Sequence, residues 1–138
     1  MRLEFDIASG DFSQAGKASS EIKKVLKQLH ISPQIIKRIV IAVYEAEVNV
    51  VAHSVGGSIV ADIDENYIKV VVRDGGPGIE DVSLAMKEGF STATKEVREM
   101  GFGAGMGLPN INKNTDEMRI ESSVTQGTVL QFKNALSE

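Results

Sequence analysis

The 138-residue chain contains no cysteine and no tryptophan. Without thiols there is no disulfide staple, no thiolate nucleophile and no cysteine-ligated metal, so any chemistry must rest on oxygen and nitrogen groups. No apolar run reaches the roughly eighteen residues that cross a bilayer. The first residues also lack the basic-then-apolar order of a secretory leader, so the chain is read as soluble and cytoplasmic, with no membrane partner. Basic residues are in deficit: 15 Lys and Arg stand against 19 Asp and Glu, for a net charge of −4. A phosphate-backbone binder carries a basic excess or patch, so direct nucleic-acid binding is not expected. The two histidines, His30 and His53, lie in no metal-binding spacing, which argues against a zinc site.

What remains is an ordinary globular composition, 42% hydrophobic and 25% charged, with 13 glycines that cluster. The length suits one domain, 1–138, with its own core. Leu3, Phe5 and Ile7 alternate with Arg2, Glu4 and Asp6, the period of a half-buried strand over 2–8. Ala18, Ile22, Val25, Leu26 and Leu29 follow helical spacing within 13–30, and Lys23, Lys24 and Lys27 read as its wet face. Ser32 is a good N-cap and Pro33 a good first residue for a helix over 33–53. Strands at 58–64 and 67–73 join at Glu65-Asn66, as a hairpin. A short helix could occupy 81–88, and the glycine-rich stretch 89–107 is an aperiodic loop of functional length. A helix begins near Pro109, and strands at 117–124 and 128–134 turn at Thr125-Gln126-Gly127. This order implies an α+β fold: a two-layer α/β sandwich with one mixed, mostly antiparallel sheet and helices on one face.

Three features could carry chemistry. Glu45 and Asn49 are four apart on the 33–53 helix and share a face, with His53 on the same line. An Asn carbonyl is a hard oxygen ligand suited to Mg²⁺, and a carboxylate one turn away can take a proton. Read alone, the same residues are the wet side of an amphipathic helix. Asp74 ends an apolar strand before Gly75-Gly76-Pro77-Gly78. Such glycines allow close approach of the chain to a ligand, although a plain Asp-Gly turn explains the pattern as well. Gly101-Phe102-Gly103-Ala104-Gly105-Met106-Gly107 runs into Leu108-Pro109, freeing backbone N–H groups at a helix start, where phosphate is favoured. It is neither a dinucleotide fingerprint nor a P-loop. The 62–66 stretch lacks the glycine of a calcium loop, because Tyr67 stands there. A triad of Ser54, His53 and Asp74 can be written, but no nucleophile elbow supports it.

Taken in order, these stretches are specific. Glu45-Ala46-Glu47-Val48-Asn49 resembles the E-x-x-x-N box of the gyrase, Hsp90, histidine-kinase and MutL ATPase superfamily, whose nucleotide-binding unit is the Bergerat fold. Asp74 to Ile79 resembles its D-x-G-x-G box, 101–107 its second glycine box, and Gly127-Thr128 its closing G-T. By length, and by Asn49-Val50-Val51-Ala52-His53, the chain is similar to the anti-sigma-factor serine/threonine kinases and the switch kinases of bacterial stress modules. The resemblance implies ATP and Mg²⁺ as cofactors. It makes Asn49 the Mg²⁺ ligand, Glu45 the general base, and Asp74 the reader of the adenine amino group, helped by Thr128. Gly76, Gly78 and Ile79 would pass the base. Gly103, Ala104, Gly105, Met106, Gly107 and Leu108 would wrap the phosphates, the run to Gly107 as part of a lid over 89–107, and His53 would border the site. The lid's basic residue is Arg98, with Lys95 as the fallback. Glu47 should point away from Glu45, since i and i+2 do not share a helix face. The implied partners are a STAS-type antagonist or scaffold protein, a sigma factor, and a second copy of the chain through the sheet. Two other readings stand beside the kinase: a non-catalytic module switched by ATP and ADP, and a plain structural domain.

Overall fold

The computed structural model describes residues 1–8, 15–53, 56–74, 107–123 and 127–137. Strand β1 (Arg2–Ile7) is followed by helices α1 (Lys17–Gln28) and α2 (Pro33–His53), then by β2 (Gly57–Ile63) and β3 (Tyr67–Asp74). Helix α3 (Gly107–Lys113) precedes β4 (Glu117–Ser123) and β5 (Gly127–Ala135). The five strands form one sheet in the order β1-β2-β3-β5-β4. Every pairing among the described residues is antiparallel, so the expected mixed sheet is corrected to an antiparallel one. The reason lies in the connection between β1 and β2. One crossover helix returns a chain parallel to its start; two antiparallel helices return it reversed.

The two layers follow from periodicity. Alternate residues of β2, β3 and β5 (Ile59, Ala61, Ile68, Val70, Val72, Leu130 and Phe132) are buried on one sheet face. Against them lie Ala18, Ile22 and Leu26 of α1, Ile36, Ile39, Val43 and Val50 of α2, and Ile111 of α3. Full burial of such an Ile or Leu contributes about 2 kcal/mol. Leu29, expected on the apolar stripe of α1, is 43% exposed, because the helix has already ended at Gln28.

Local signals set the helix ends. The N–H of His30 donates to Lys27 O and that of Ile31 to Leu26 O, the paired bonds of a Schellman stop. His30 occupies its left-handed position at φ 58°, where glycine is usual. Ser32 caps α2 as expected, its Oγ accepting from the N–H of Ile35 at 3.4 Å. Helix α1 starts at Lys17 rather than near residue 13, after Gly16 at φ 97°. Gly16 has no side chain with which to cap, and the acceptor comes from elsewhere in the fold. Glu47 Oε2 takes the N–H groups of Gly16 and Ala18, and Oε1 takes that of Ser19 at 2.8 Å. In the β2–β3 turn, Asp64 Oδ1 accepts from the N–H groups of Asn66 and Tyr67. That local role fits a turn residue and no calcium ligand.

Several expectations lie outside the described residues: the 75–79 box, the 81–88 helix, the 89–106 loop and most of the 125–127 turn.

Candidate functional site

The sheet register builds the first half of the site. Facing residues form rows across the strands. One row is Phe5, Ile59, Val72, Leu130 and Ile120; the next is Ile7, Gly57, Asp74, Thr128 and Ser122. Residues two apart on a strand share a face. Asp74 and Thr128 therefore stand side by side on the helix-covered face, one row beyond the apolar core. Directly opposed side chains of an antiparallel pair are about 5 Å apart at Cβ. Thr128 is 8% exposed, and Asp74 Oδ1 is sealed from solvent. A carboxylate and a hydroxyl at the end of a hydrophobic sheet can together read a polar edge of a flat ligand.

Gly57 permits this arrangement. A Cβ at Gly57 would lie 2.2 Å from Arg73 O and 3.0 Å from Asp74 Cα. Both are backbone atoms, so no side chain could swing aside. The role of Gly57 as support for Asp74 is not legible in the sequence, because it arises only where β3 lies beside β2.

Helix α2 supplies the second half. Glu45 and Asn49 are both half-buried on one line of the helix. His53, the next position on that line, closes α2, and its side chain is outside the described residues. Burial pushes the Glu45 carboxyl above the usual carboxylate range, and a hydrogen bond from Asn110 acts in the opposite direction. Nδ2 of Asn110, on α3, donates to Glu45 Oε1 at 3.5 Å. A carboxylate with raised proton affinity and partial access to solvent is suited to taking a proton from an alcohol. Glu47 points away as expected and is 2% exposed in its capping role.

Helix α2 packs against both β3 and α3. The fold thus makes neighbours of the elements that carry Glu45, Asn49, Asp74, Thr128, Gly107 and Leu108, at the boundary between the sheet and the helices. Gly107 opens α3 and Leu108 is buried. Gly76, Gly78, Ile79, Lys95, Arg98, Gly103, Ala104, Gly105 and Met106 lie outside the described residues. Among the described residues no group of three or more His, Cys, Asp or Glu could hold a metal ion. A metal bound here would need one that accepts few protein ligands and keeps water and phosphate oxygens. Mg²⁺ behaves so, and the donor at hand, the Asn49 carbonyl, is a hard oxygen that suits it.

Residues 8–133 match the sequence profile of the histidine kinase-like ATPase domain. The chain belongs to this family. As a histidine kinase-like ATPase domain it is 32% identical to serine/threonine-protein kinase RsbT of Bacillus subtilis (strain 168), with 79% of each chain covered. It is 31% identical to an anti-sigma F factor of Clostridium novyi (strain NT), over 99% of this chain and 94% of that one. An anti-sigma F factor of Geobacillus stearothermophilus is 28% identical over 100% of this chain and 93% of its own. The α+β architecture of the five-stranded sheet and its helices agrees with this membership. No helix among the described residues is long and apolar enough to cross a membrane.

Proposed function

We propose that the chain is a Mg·ATP-dependent protein serine/threonine kinase that controls a sigma factor by phosphorylating a STAS-type partner. The observation that carries this reading is the half-buried Glu45, raised in proton affinity and hydrogen-bonded by Asn110, one turn from Asn49. A module that only bound nucleotide would have no need of a carboxylate held in this state. Similarity to a kinase named RsbT and to anti-sigma F factors supports both halves of the proposal.

In this reading Asp74 accepts a hydrogen bond from the adenine amino group, and Thr128 lies beside it. Asn49 holds Mg²⁺ through its carbonyl oxygen, with Glu45 close enough on the helix to order the surrounding water. The bound metal supplies neutralisation of phosphate charge. Glu45 takes the proton of the acceptor serine or threonine hydroxyl as the γ-phosphoryl group of ATP passes to that oxygen and its bond to the departing ADP breaks. Arg98, or Lys95, would offer positive charge to the transferred group. His53, Gly76, Gly78, Ile79 and the run from Gly103 to Leu108 complete the nucleotide site. We take residues 1–138 as one catalytic unit working in the cytoplasm. The proposed partners are a STAS-domain antagonist or scaffold, a sigma factor, and a second copy joined through the sheet, whose edges are β1 and β4.

The test is phosphotransfer from γ-labelled ATP with Mg²⁺ to candidate STAS proteins, with Glu45→Ala as control. Label on serine or threonine that the variant fails to add is the expected result. ATP binding without transfer to any acceptor would favour the nucleotide-switched module.

A further inference from the structure

Asparagines link α2, α3 and β5 in a way the reaction outlined above does not use. Asn134 on β5 is 1% exposed and donates Nδ2 to Asn114 O at 2.8 Å. Asn114, just past α3, donates its own Nδ2 to Asn110 O at 2.8 Å. Asn110 donates Nδ2 to Glu45 Oε1 at 3.5 Å, across 65 positions of sequence. The series begins in the buried sheet and ends on the carboxylate assigned as base. A buried asparagine whose amide is spent on a main-chain carbonyl does not move without loss of that bond. The far end of α3 is thereby fixed to the sheet, and the backbone that carries Asn110 is referred to a rigid frame.

We infer that Asn110 is a positioning residue for Glu45, holding Oε1 so that Oε2 is the oxygen left to receive the acceptor proton. This inference rests on the kinase reading for its consequence in catalysis, but the contact itself does not. A glutamate has three side-chain torsions, and one on a half-buried helix face can lie along several paths. A single donor from a neighbouring helix selects among them. The donor must be neutral, because a lysine or arginine here would stabilise the carboxylate too strongly for a base. An amide supplies direction with little charge. The 3.5 Å separation is at the long end of a hydrogen bond, as catalytic contacts often are before substrate docks.

The experiment is a double-variant cycle of Asn110→Leu with Glu45→Gln, read in two ways. In phosphotransfer, Asn110→Leu should lower kcat about tenfold or more and leave KM for ATP within about twofold, because general-base catalysis contributes roughly 10²–10⁴-fold. Asn110→Gln, which keeps an amide donor, should recover part of the loss. In the Glu45→Gln background Asn110→Leu should change kcat no further. In urea unfolding of the nucleotide-free chain, Asn110→Leu and Glu45→Leu, which removes the acceptor that Glu45→Gln would keep, should be non-additive. Wild-type kcat in Asn110→Leu would overturn the inference. So would equal fold-losses in both backgrounds, or a rise in KM matching the fall in kcat. Should the wild type label no acceptor, the kinase reading fails and unfolding decides the contact: additive shifts in midpoint overturn it.

Discussion

Gly57→Ala is the sharpest test of how the sheet builds the site. The added methyl would sit 2.2 Å from Arg73 O, whereas ordinary contact begins at 3.4 Å. The ends of β2 and β3 must then part by about an ångström, since neither offending atom belongs to a flexible side chain. Overpacking of this kind costs about 1–3 kcal/mol. For a chain of this size each kcal/mol lowers the melting temperature by roughly 4 °C. The larger effect should fall on ligand binding, because the displaced residue is Asp74. A hydrogen bond to a charged group is worth about 1.5–3 kcal/mol, so its misdirection should weaken ATP binding roughly ten- to a hundredfold. Calorimetric titration with ATP and Mg²⁺ and a thermal melt of the same sample measure both. Gly57→Ala with wild-type affinity and an unshifted melt would refute the reasoning, and with it the assignment of Asp74 as the adenine reader.

The remaining predictions concern single groups. Glu47→Ala orphans three N–H groups at the start of α1; it should cost on the order of 3 kcal/mol in urea unfolding, and near-neutral behaviour would discount the cap. Burial raises the Glu45 pKa on folding, so the folded state binds its proton more tightly than the unfolded one. That contribution to stability is present below the unfolded carboxylate pKa and is lost as pH rises through the folded value. Glu45→Gln should therefore melt higher than wild type at pH 8 while losing phosphotransfer, and a lower melt would contradict the burial argument. For Asp116 the shift is downward, first from the Ala135 N–H and then from Arg38, so its contribution is present above the unfolded pKa and disappears on acidification. Asp116→Asn should lower the melt at pH 7 and make no difference at pH 2. His30→Gly should raise stability by up to about 1 kcal/mol, since φ 58° strains a residue with a Cβ.

Much of the fold was legible in residue order. Alternation in 2–8 gave a strand, the Glu65-Asn66 turn gave a hairpin, and Ser32-Pro33 gave a helix start, because each rests on neighbours in sequence. The line of Glu45, Asn49 and His53 was likewise visible from helical spacing. What could not be read were features made by distant elements meeting. The start of α1 depends on Glu47, about thirty positions later, so periodicity placed it too early. The antiparallel pairing of β1 with β2 depends on two helices packing together between them. The role of Gly57 appears only once β3 lies beside it, and that of Asn110 only once α3 lies beside α2. One signal for Asn110 was present: a polar residue between the buried Leu108 and Ile111, near the inward side of a helix whose exposed side carries Asn112 and Lys113.

The strand order has a consequence for the timing of synthesis. β5 is the last strand along the chain, yet it lies between β3 and β4. As the chain leaves a ribosome, β4 emerges with no neighbour to pair with, and Asp74 has no Thr128 across from it. The α1–α2 pair and the β2–β3 hairpin can settle early, their contacts being close in sequence. The row that carries Asp74 is completed only when Gly127–Ala135 has been made, since Thr128 is the partner of Asp74 across the β3–β5 ladder. Until then the helices and the β2–β3 hairpin have a frame without its central strand.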